Sequence, residues 1–269
     1  MGSSPHLAVL PGAAFGLFSR PAVRRQARLD LRLVLRYIQR LSTKLMESNH
    51  VVGGLLRRRQ CLVPTLRGWC VLALVFGAAA IGGVLGISPF LSVTDPVRGG
   101  VLVVEGWMPD YALEETVAEF RQHHYDKVYV TGIPLHQGAP LSEYKNLAYI
   151  CAAMLVKSGL STNEVQAVPT GVTRRDRTYA MALSLKTWWR EHDIAPTKVN
   201  LITGGPHARR SRLIFQKALG KGVTVGVIAI PPDDYDERHW WHYSQGVRAI
   251  IGETIAYAYA RLLFHPPQD

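Results

Sequence analysis

The sequence predicts an α/β protein with a Rossmann-like, doubly wound domain, whose mainly parallel five-stranded sheet is preceded by one transmembrane helix. From Gly100 onward, short apolar segments alternate with longer amphipathic ones, which is the pattern of strands joined by helical crossovers. The predicted strands are nearly continuous apolar runs, as expected of a parallel sheet that is covered on both faces. Ahead of them lies one uncharged apolar stretch that is long enough to cross a bilayer.

Composition and charge exclude several classes of protein. A chain of 269 residues that is 48% hydrophobic and 19% charged can bury a core, so a wholly disordered protein is excluded. Three scattered cysteines are too few for a disulfide scaffold, and no Cys/His spacing predicts a metal site. Residues 1–70 hold 12 Lys and Arg against two acids, whereas the remainder holds 19 against 18. The basic charge thus lies outside the folded domain, which argues against nucleic-acid binding.

We divide the chain into a basic N-terminal region, 1–67, a transmembrane helix, 68–92, and an α/β domain, 98–266. About 20 apolar residues cross a hydrocarbon core of about 30 Å, and the alternative of a buried core helix is disfavoured by the length of the run. Arginines crowd the side that precedes the run, with Arg67 next to it, and Asp95 follows it. The positive-inside rule then predicts a single-pass protein of the inner membrane, with a cytoplasmic N-terminus and a periplasmic domain.

The N-terminal region contains a regular basic stripe. Its members recur every fourth residue: Arg24, Arg28, Arg32, Arg36, Arg40 and Lys44. Like charges at this spacing oppose a helix in water, so the stripe predicts an amphipathic helix on the anionic inner leaflet. Two alternatives stay open: the first 29 residues resemble a targeting presequence, or translation starts at Met46.

The elements of the α/β domain follow from periodicity and from turn residues. The predicted strands cover residues 101–105, 127–131, 165–168, 198–203 and 223–230. The predicted helices cover about 109–123, 141–157, 176–191, 207–219 and 243–264. Because ligands of such sheets bind beyond the carboxyl ends of the strands, the loops that follow the strands are the places to look for a site.

Four of these loops carry polar or glycine residues. Backbone N–H groups at helix N-termini and arginine guanidinium groups are suited to bind phosphate or carboxylate. The residues predicted to bind such an anion are Gly106, Thr131, Gly132, Arg174, Arg177, Thr178, Thr203, Gly204, Gly205 and Arg210. His207 is the predicted general acid or base, and Glu105 or Glu143 is the complementary carboxylate. The cofactor stays unknown.

The order of short motifs resembles the YdcF/SanA/ElyC family, whose reaction is not settled. The matching positions over about residues 100–264 are Gly106, Ser142-Glu143, Arg177-Thr178-Tyr179 with Ala182, Thr203, His207, Arg210, Trp240-Trp241 and Gly252-Glu253. The resemblance implies a Rossmann-like domain that is often tethered by one N-terminal membrane helix, with relatives associated with bacterial envelope biogenesis. The chain departs from the family pattern after strand one, where relatives tend to carry two glycines and this chain has Glu105-Gly106-Trp107. It also departs at Ala180 and Met181, where relatives commonly carry Glu and Asn.

Two hypotheses for function follow. The first is a membrane-anchored domain outside the cytoplasm that binds, and processes, an anionic, phosphate-bearing envelope ligand, either a small molecule or a lipid-linked one. The second is a non-catalytic envelope factor that uses the same pocket to bind a ligand, or its surface to recruit a partner. No nucleophile elbow, Walker loop or dinucleotide fingerprint is present in the sequence.

Overall fold

A computed structural model describes residues 34–40, 50–51, 56–57 and 63–266. The chain separates into two compact units, Met1–Trp69 and Cys70–Asp269. In the first unit, residues 34–40 are helical and exposed, and His50–Val51 pairs antiparallel with Leu56–Arg57. The predicted basic stripe extends beyond this helix, and its other members, like the presequence and the start at Met46, lie outside the described residues.

The second unit is built on a five-stranded sheet in which all strands are parallel. The strands are β1 (Val101–Glu105), β2 (Val128–Gly132), β3 (Val165–Pro169), β4 (Lys198–Gly204) and β5 (Thr224–Ile230). Their order in the sheet is β3-β2-β1-β4-β5, with Val103 of β1 level with Tyr129 of β2 and with Leu201 of β4. The direction of winding reverses between β1 and β4, and this is the point where doubly wound sheets open a crevice for ligands. The predicted α/β class and five-stranded sheet are confirmed.

Six α-helices accompany the sheet. They are α1 (Leu66–Leu91), α2 (Asp110–Gln122), α3 (Leu147–Lys157), α4 (Arg177–Glu191), α5 (Ala208–Leu219) and α6 (Ser244–Leu262). Short 3-10 helices cover Ala139–Leu141, Gly205–His207 and Glu237–His242. Most predicted boundaries agree with these to within one or two residues.

The core forms two layers, one on each face of the sheet. Successive strand side chains point to opposite faces, so Val101 and Val103 of β1 pack under α4 and α5, while Leu102 and Val104 pack under α2 and α3. This two-sided burial explains why the strands are apolar without alternation. Because all five strands are parallel, their carboxyl ends lie at one edge of the sheet, which we call the carboxyl edge.

The start of α3 differs from the prediction. A helix was expected from about Leu141, but Ser142 is extended and α3 begins at Leu147, where the Asn146 side chain caps it by accepting from the Ala148 N–H at 2.9 Å. Residues Pro134 and Asn146 form an isolated bridge, which closes the intervening segment into a loop. Glu143 therefore lies in this loop and does not open the helix.

Helix α1 is the one helix among the described residues that is long and apolar enough to cross a membrane. Its residues are exposed as far as Gly86, and only the last turns pack against the α/β domain. Leu91 is completely buried in a cluster with Tyr235, Trp240 and Ile250. The Trp240 indole N–H also donates to the Val84 carbonyl at 3.2 Å. The end of α1 is thus attached to the domain.

The connection from α1 to β1 shows which edge of the sheet α1 reaches. Thr94 accepts a hydrogen bond from the Ala229 N–H, and Asp95 forms an antiparallel bridge with Val227, so the segment runs down β5 from its carboxyl end. At the start of this segment, Ser92 donates to Glu237 at 2.5 Å. Helix α1 therefore ends at the carboxyl edge of the sheet.

Two glycines allow the start of α3 to approach the strands closely. A Cβ on Gly106 would lie 3.0 Å from the Leu147 carbonyl oxygen, and one on Gly132 would lie 2.9 Å from the Ala148 Cα and overlap the Ala148 nitrogen. Both positions were predicted to bind an anion through their backbone. The lack of a side chain at both positions allows α3 to pack closely against β1 and β2.

We expect Gly132→Ala to lower the free energy of unfolding by about 1 to 3 kcal/mol, because the added methyl group meets backbone atoms that cannot rotate away. Thermal unfolding of the full chain in detergent measures this. The matched control is Gly171→Ala, since a Cβ at Gly171 has nothing within 4 Å. Equal stabilities of the two variants would contradict the packing role of Gly132.

Candidate functional site

A cavity of about 590 Å³ opens at the carboxyl edge, beside the point where the winding of the sheet reverses. Its lining includes Trp107 and His207, which follow β1 and β4, and Gly132 and Ile133, at the end of β2. The lining is completed by residues from the starts of α3 and α4, from α5 and from α6: His136, Leu147, Asp176, Arg177, Thr178, Tyr179, Met181, Arg210, Ile214, Glu253, Ala256, Tyr259, Ala260 and Phe264. This is the position expected for a ligand site in a doubly wound domain.

Glu105 is the last residue of β1 and is completely buried beneath the cavity. Its Oε2 atom accepts hydrogen bonds from the Thr203 hydroxyl and, at 3.1 Å, from the Ser211 hydroxyl. Burial raises the pKa of Glu105, but the charge of His207 and these donors outweigh burial and lower the pKa. Glu105 is therefore a buried carboxylate with a nearby cation, and it does not line the cavity.

His207 lies between two carboxylates. Its Nε2 atom is 3.6 Å from Glu105 Oε2, and its Nδ1 atom is 2.9 Å from Glu253 Oε1. Burial lowers the pKa of His207, but the two carboxylates outweigh it and raise the pKa to about 9. At neutral pH a pKa of this height favours the imidazolium, and the ring stands edge-on to Trp107 at a centroid distance of 5.2 Å. Nη2 of Arg210 also lies 2.8 Å from Nδ1, so this nitrogen is within hydrogen-bond distance of both Arg210 and Glu253.

Arg210 and Glu253 complete this arrangement, which we call the four-residue network: Glu105, His207, Arg210 and Glu253. Arg210 holds the carboxylate of Glu253 with two donors, Nε to Oε2 at 2.7 Å and Nη2 to Oε1 at 3.0 Å. Burial raises the pKa of Glu253, but His207 and Arg210 outweigh it and lower the pKa to about 2. Two cations face two anions, so the network is neutral as a unit.

The charges of the network limit what His207 can do. Nδ1 lies within hydrogen-bond distance of both Glu253 and Arg210, and Nε2 is buried without a hydrogen-bond partner in the described part of the chain. A general base needs a free nitrogen within reach of the proton that it takes. This conformation therefore suits a fixed cation beside the cavity, and the network holds α6 against the start of α5.

The rim of the cavity carries a separate basic group. Arg177 is exposed, and its Nη1 atom is 3.3 Å from His136 Nε2. It is the first residue of α4, and Asp176 before it has a left-handed backbone, with φ of 53°, and makes no side-chain cap. The first N–H groups of α4 therefore face the rim without a partner from Asp176, and such groups favour anions.

The structure brings some of the predicted site residues to the cavity. Gly132, Arg177, Thr178, His207 and Arg210 line it. Thr131 and Thr203 are completely buried and hydrogen-bonded within the domain, and Gly106, Gly204 and Gly205 lie next to the cavity without lining it. Arg174 and Glu143 are exposed, and neither is among the residues that line the cavity.

The prediction omitted three residues that the structure places at the cavity. Glu253 is the single acid of the apolar helix α6, and this isolation was the available signal. His136 lies in the glycine- and proline-rich loop after β2, where its position depends on how the loop folds. Trp107 covers His207, and its role could not be read from a single aromatic residue after a strand.

Among the described residues, no group of three or more His, Cys, Asp or Glu side chains is arranged to hold a metal ion. Comparison of the chain with family models, with curated proteins and with solved structures found no match. The resemblance to the YdcF/SanA/ElyC family therefore rests on the motif order of the sequence.

We expect the stability of the protein to fall between about pH 6.5 and pH 9. A histidine whose pKa is raised to about 9 on folding stabilises the fold fully below its unfolded value of about 6.5, and this contribution is lost as the pH rises through 9. Denaturant unfolding of the full chain in detergent at a series of pH values measures it.

In His207→Asn the decline over this pH range should be smaller, although the variant is less stable at every pH because two carboxylates lose their cation. The control is His124→Asn, an exposed histidine after α2, which should keep the wild-type pH dependence. An unchanged decline in His207→Asn would show that His207 is not an imidazolium in the folded protein.

Proposed function

We propose that this chain is a single-span protein of the inner membrane, related to the YdcF/SanA/ElyC family, whose domain outside the cytoplasm binds an anionic, phosphate-bearing envelope ligand. The observation that carries the proposal is the cavity at the carboxyl edge, with Arg177 at its rim and the four-residue network on one side. The exposed, uncharged surface of α1 from Val71 to Leu85 supports the span, because such a surface is stable in lipid and not in water.

Three groups at the rim support an anionic ligand. The guanidinium of Arg177 offers donors in a fork, Thr178 lines the cavity next to it, and the first turn of α4 has no side-chain cap from Asp176. The four-residue network is neutral, so Arg177 supplies the exposed positive charge. Apolar side chains of α5 and α6, such as Ile214 and Ala256, line another part of the cavity and suit an apolar portion of the ligand.

Binding without proton transfer is the better supported of the two hypotheses. Glu105 is shielded from the cavity, Glu253 stays ionised because the pKa is near 2, and both nitrogens of His207 face carboxylates. A ligand in the cavity would therefore meet fixed charges and not a group that is ready to take up a proton. The proposed role is an envelope factor that holds its ligand next to the membrane.

Arg177→Gln should weaken binding of inorganic pyrophosphate about tenfold, because a charge-assisted hydrogen bond contributes about 1.5 to 3 kcal/mol and about 1.4 kcal/mol corresponds to a factor of ten. Calorimetric titration of the full chain in detergent measures the affinity. The matched control is Arg174→Gln, which removes the same charge from the same loop at an exposed position outside the lining. Equal losses of affinity in both variants would show that the net charge of the domain, and not a contact of Arg177 with the ligand, causes the effect.

The proposed topology is tested with reporters fused after Asp269. Alkaline phosphatase requires disulfides that form outside the cytoplasm, so its fusion should be active, whereas a fluorescent protein that folds only in the cytoplasm should stay dark. Deleting residues 71–85 should abolish phosphatase activity, since export then has no membrane segment. An inactive phosphatase fusion together with a fluorescent signal from the fluorescent protein fusion would overturn the proposed orientation.

A further inference from the structure

Helix α6 carries an apolar stripe on the face that is turned away from the domain. Its members, spaced four, four and three residues apart, are Ile251, Ile255, Tyr259 and Leu262, and we call them the α6 stripe. This spacing places them on one face of the helix. Ile255 is 66% exposed and Leu262 is 68% exposed, so nothing in the described part of the chain covers them. An exposed apolar face of this kind marks an interaction surface.

Another face of α6, beside the α6 stripe, meets the end of α1. The rings of Phe90 in α1 and Tyr257 in α6 meet edge to face at 5.5 Å, and Ile250 is buried in the same cluster as Leu91. Trp240, just before α6, reaches Val84. Ile250 and Tyr257 lie about 10 Å apart along α6, at about 1.5 Å per residue, yet both pack at the last two residues of α1. Helix α6 therefore crosses the end of α1 and does not run alongside it.

The charges on α6 indicate which kind of surface fits the stripe. Arg248 and Arg261 are exposed towards its two ends, and Glu253, the acid of α6, points to the opposite side into the four-residue network. Tyr243 and Tyr259 are amphipathic side chains exposed near the stripe. An apolar stripe flanked by arginines and tyrosines is suited to the interfacial region of a bilayer that contains anionic lipids.

We propose that the α6 stripe docks onto the outer surface of the bilayer that α1 spans, so that the domain has a second membrane contact. This inference rests on the span of the proposed function. A helix that crosses the end of a transmembrane helix lies near the plane of the membrane, and its exposed face can enter the headgroup region. The tether keeps the stripe at the bilayer, so a small apolar area is sufficient for contact.

Docking would place the opening of the cavity at the membrane surface. Tyr259 belongs to the stripe and also lines the cavity, together with Ala256, Ala260 and Phe264 of the same segment. The carboxyl edge is also the edge at which α1 ends. A ligand could then enter along α6 from the bilayer side, with its polar group directed to Arg177.

Environment-sensitive fluorophores on single cysteines test the docking. The full chain, with Cys61→Ser and Cys70→Ala, is reconstituted as one copy per nanodisc of zwitterionic and phosphatidylglycerol lipids. Cys151 stays, since it is buried and its burial raises the pKa of the thiol to about 12. Label is attached to Ile255→Cys in the stripe, and Thr197→Cys, exposed just before β4 at the opposite edge, is the matched control.

Nitroxides on the shallow part of the lipid chains should quench the label at residue 255 several-fold more than the label at residue 197. Equal quenching at the two positions would overturn the docking. A change in the fluorescence of the label at residue 255 that appears only when two copies share a nanodisc would also overturn the docking, because the stripe would then bind a second chain. A third label at Ile81→Cys in α1 tests the span itself: quenching at residue 81 without quenching at residue 255 refutes the docking and leaves the span intact.

Discussion

The contact between Glu105 and the imidazolium of His207 is the constraint on which the rest of the site depends. A carboxylate at the end of a central strand is costly to bury, and it is tolerated where a cation and hydrogen-bond donors compensate it. The need for a cation brings His207 to the end of β4, and the need to balance His207 and Arg210 brings Glu253 from α6. One buried charge thus determines where three elements meet.

The same network explains how a long terminal helix comes to form a wall of the cavity. Helix α6 is apolar on most of its surface, so burial alone would leave its rotation about its axis weakly determined. Glu253 removes this freedom, because its pairing with Arg210 and His207 directs one face inward. The opposite face, which carries Ile255, then has to point away from the domain. The inward site and the outward stripe are two consequences of the same rotation.

The attachment of α1 gives the domain a defined orientation relative to this helix. The segment after α1 descends along β5, and Leu91 is buried beside Trp240. If α1 spans the bilayer, the carboxyl edge with the cavity faces the membrane and the opposite edge of the sheet faces away. In the proposed function, a cavity at the membrane side would serve a ligand that arrives there.

Local patterns determined the elements of this protein. A single sequence displays these patterns because each depends on neighbouring residues. They are the apolar runs of β1 to β5, the glycine and proline residues between the elements, and the uncharged stretch of α1. The start of α3 was misplaced because a loop bridge between Pro134 and Asn146, and not propensity, decides where that helix begins. Only the tertiary structure decided that Glu105 is shielded from the cavity, that Arg174 lies outside the cavity lining and that Glu253 completes the four-residue network. The reason is physical: periodicity records which face of an element is buried, whereas the partner of a buried charge is set by packing between residues that are far apart in the chain.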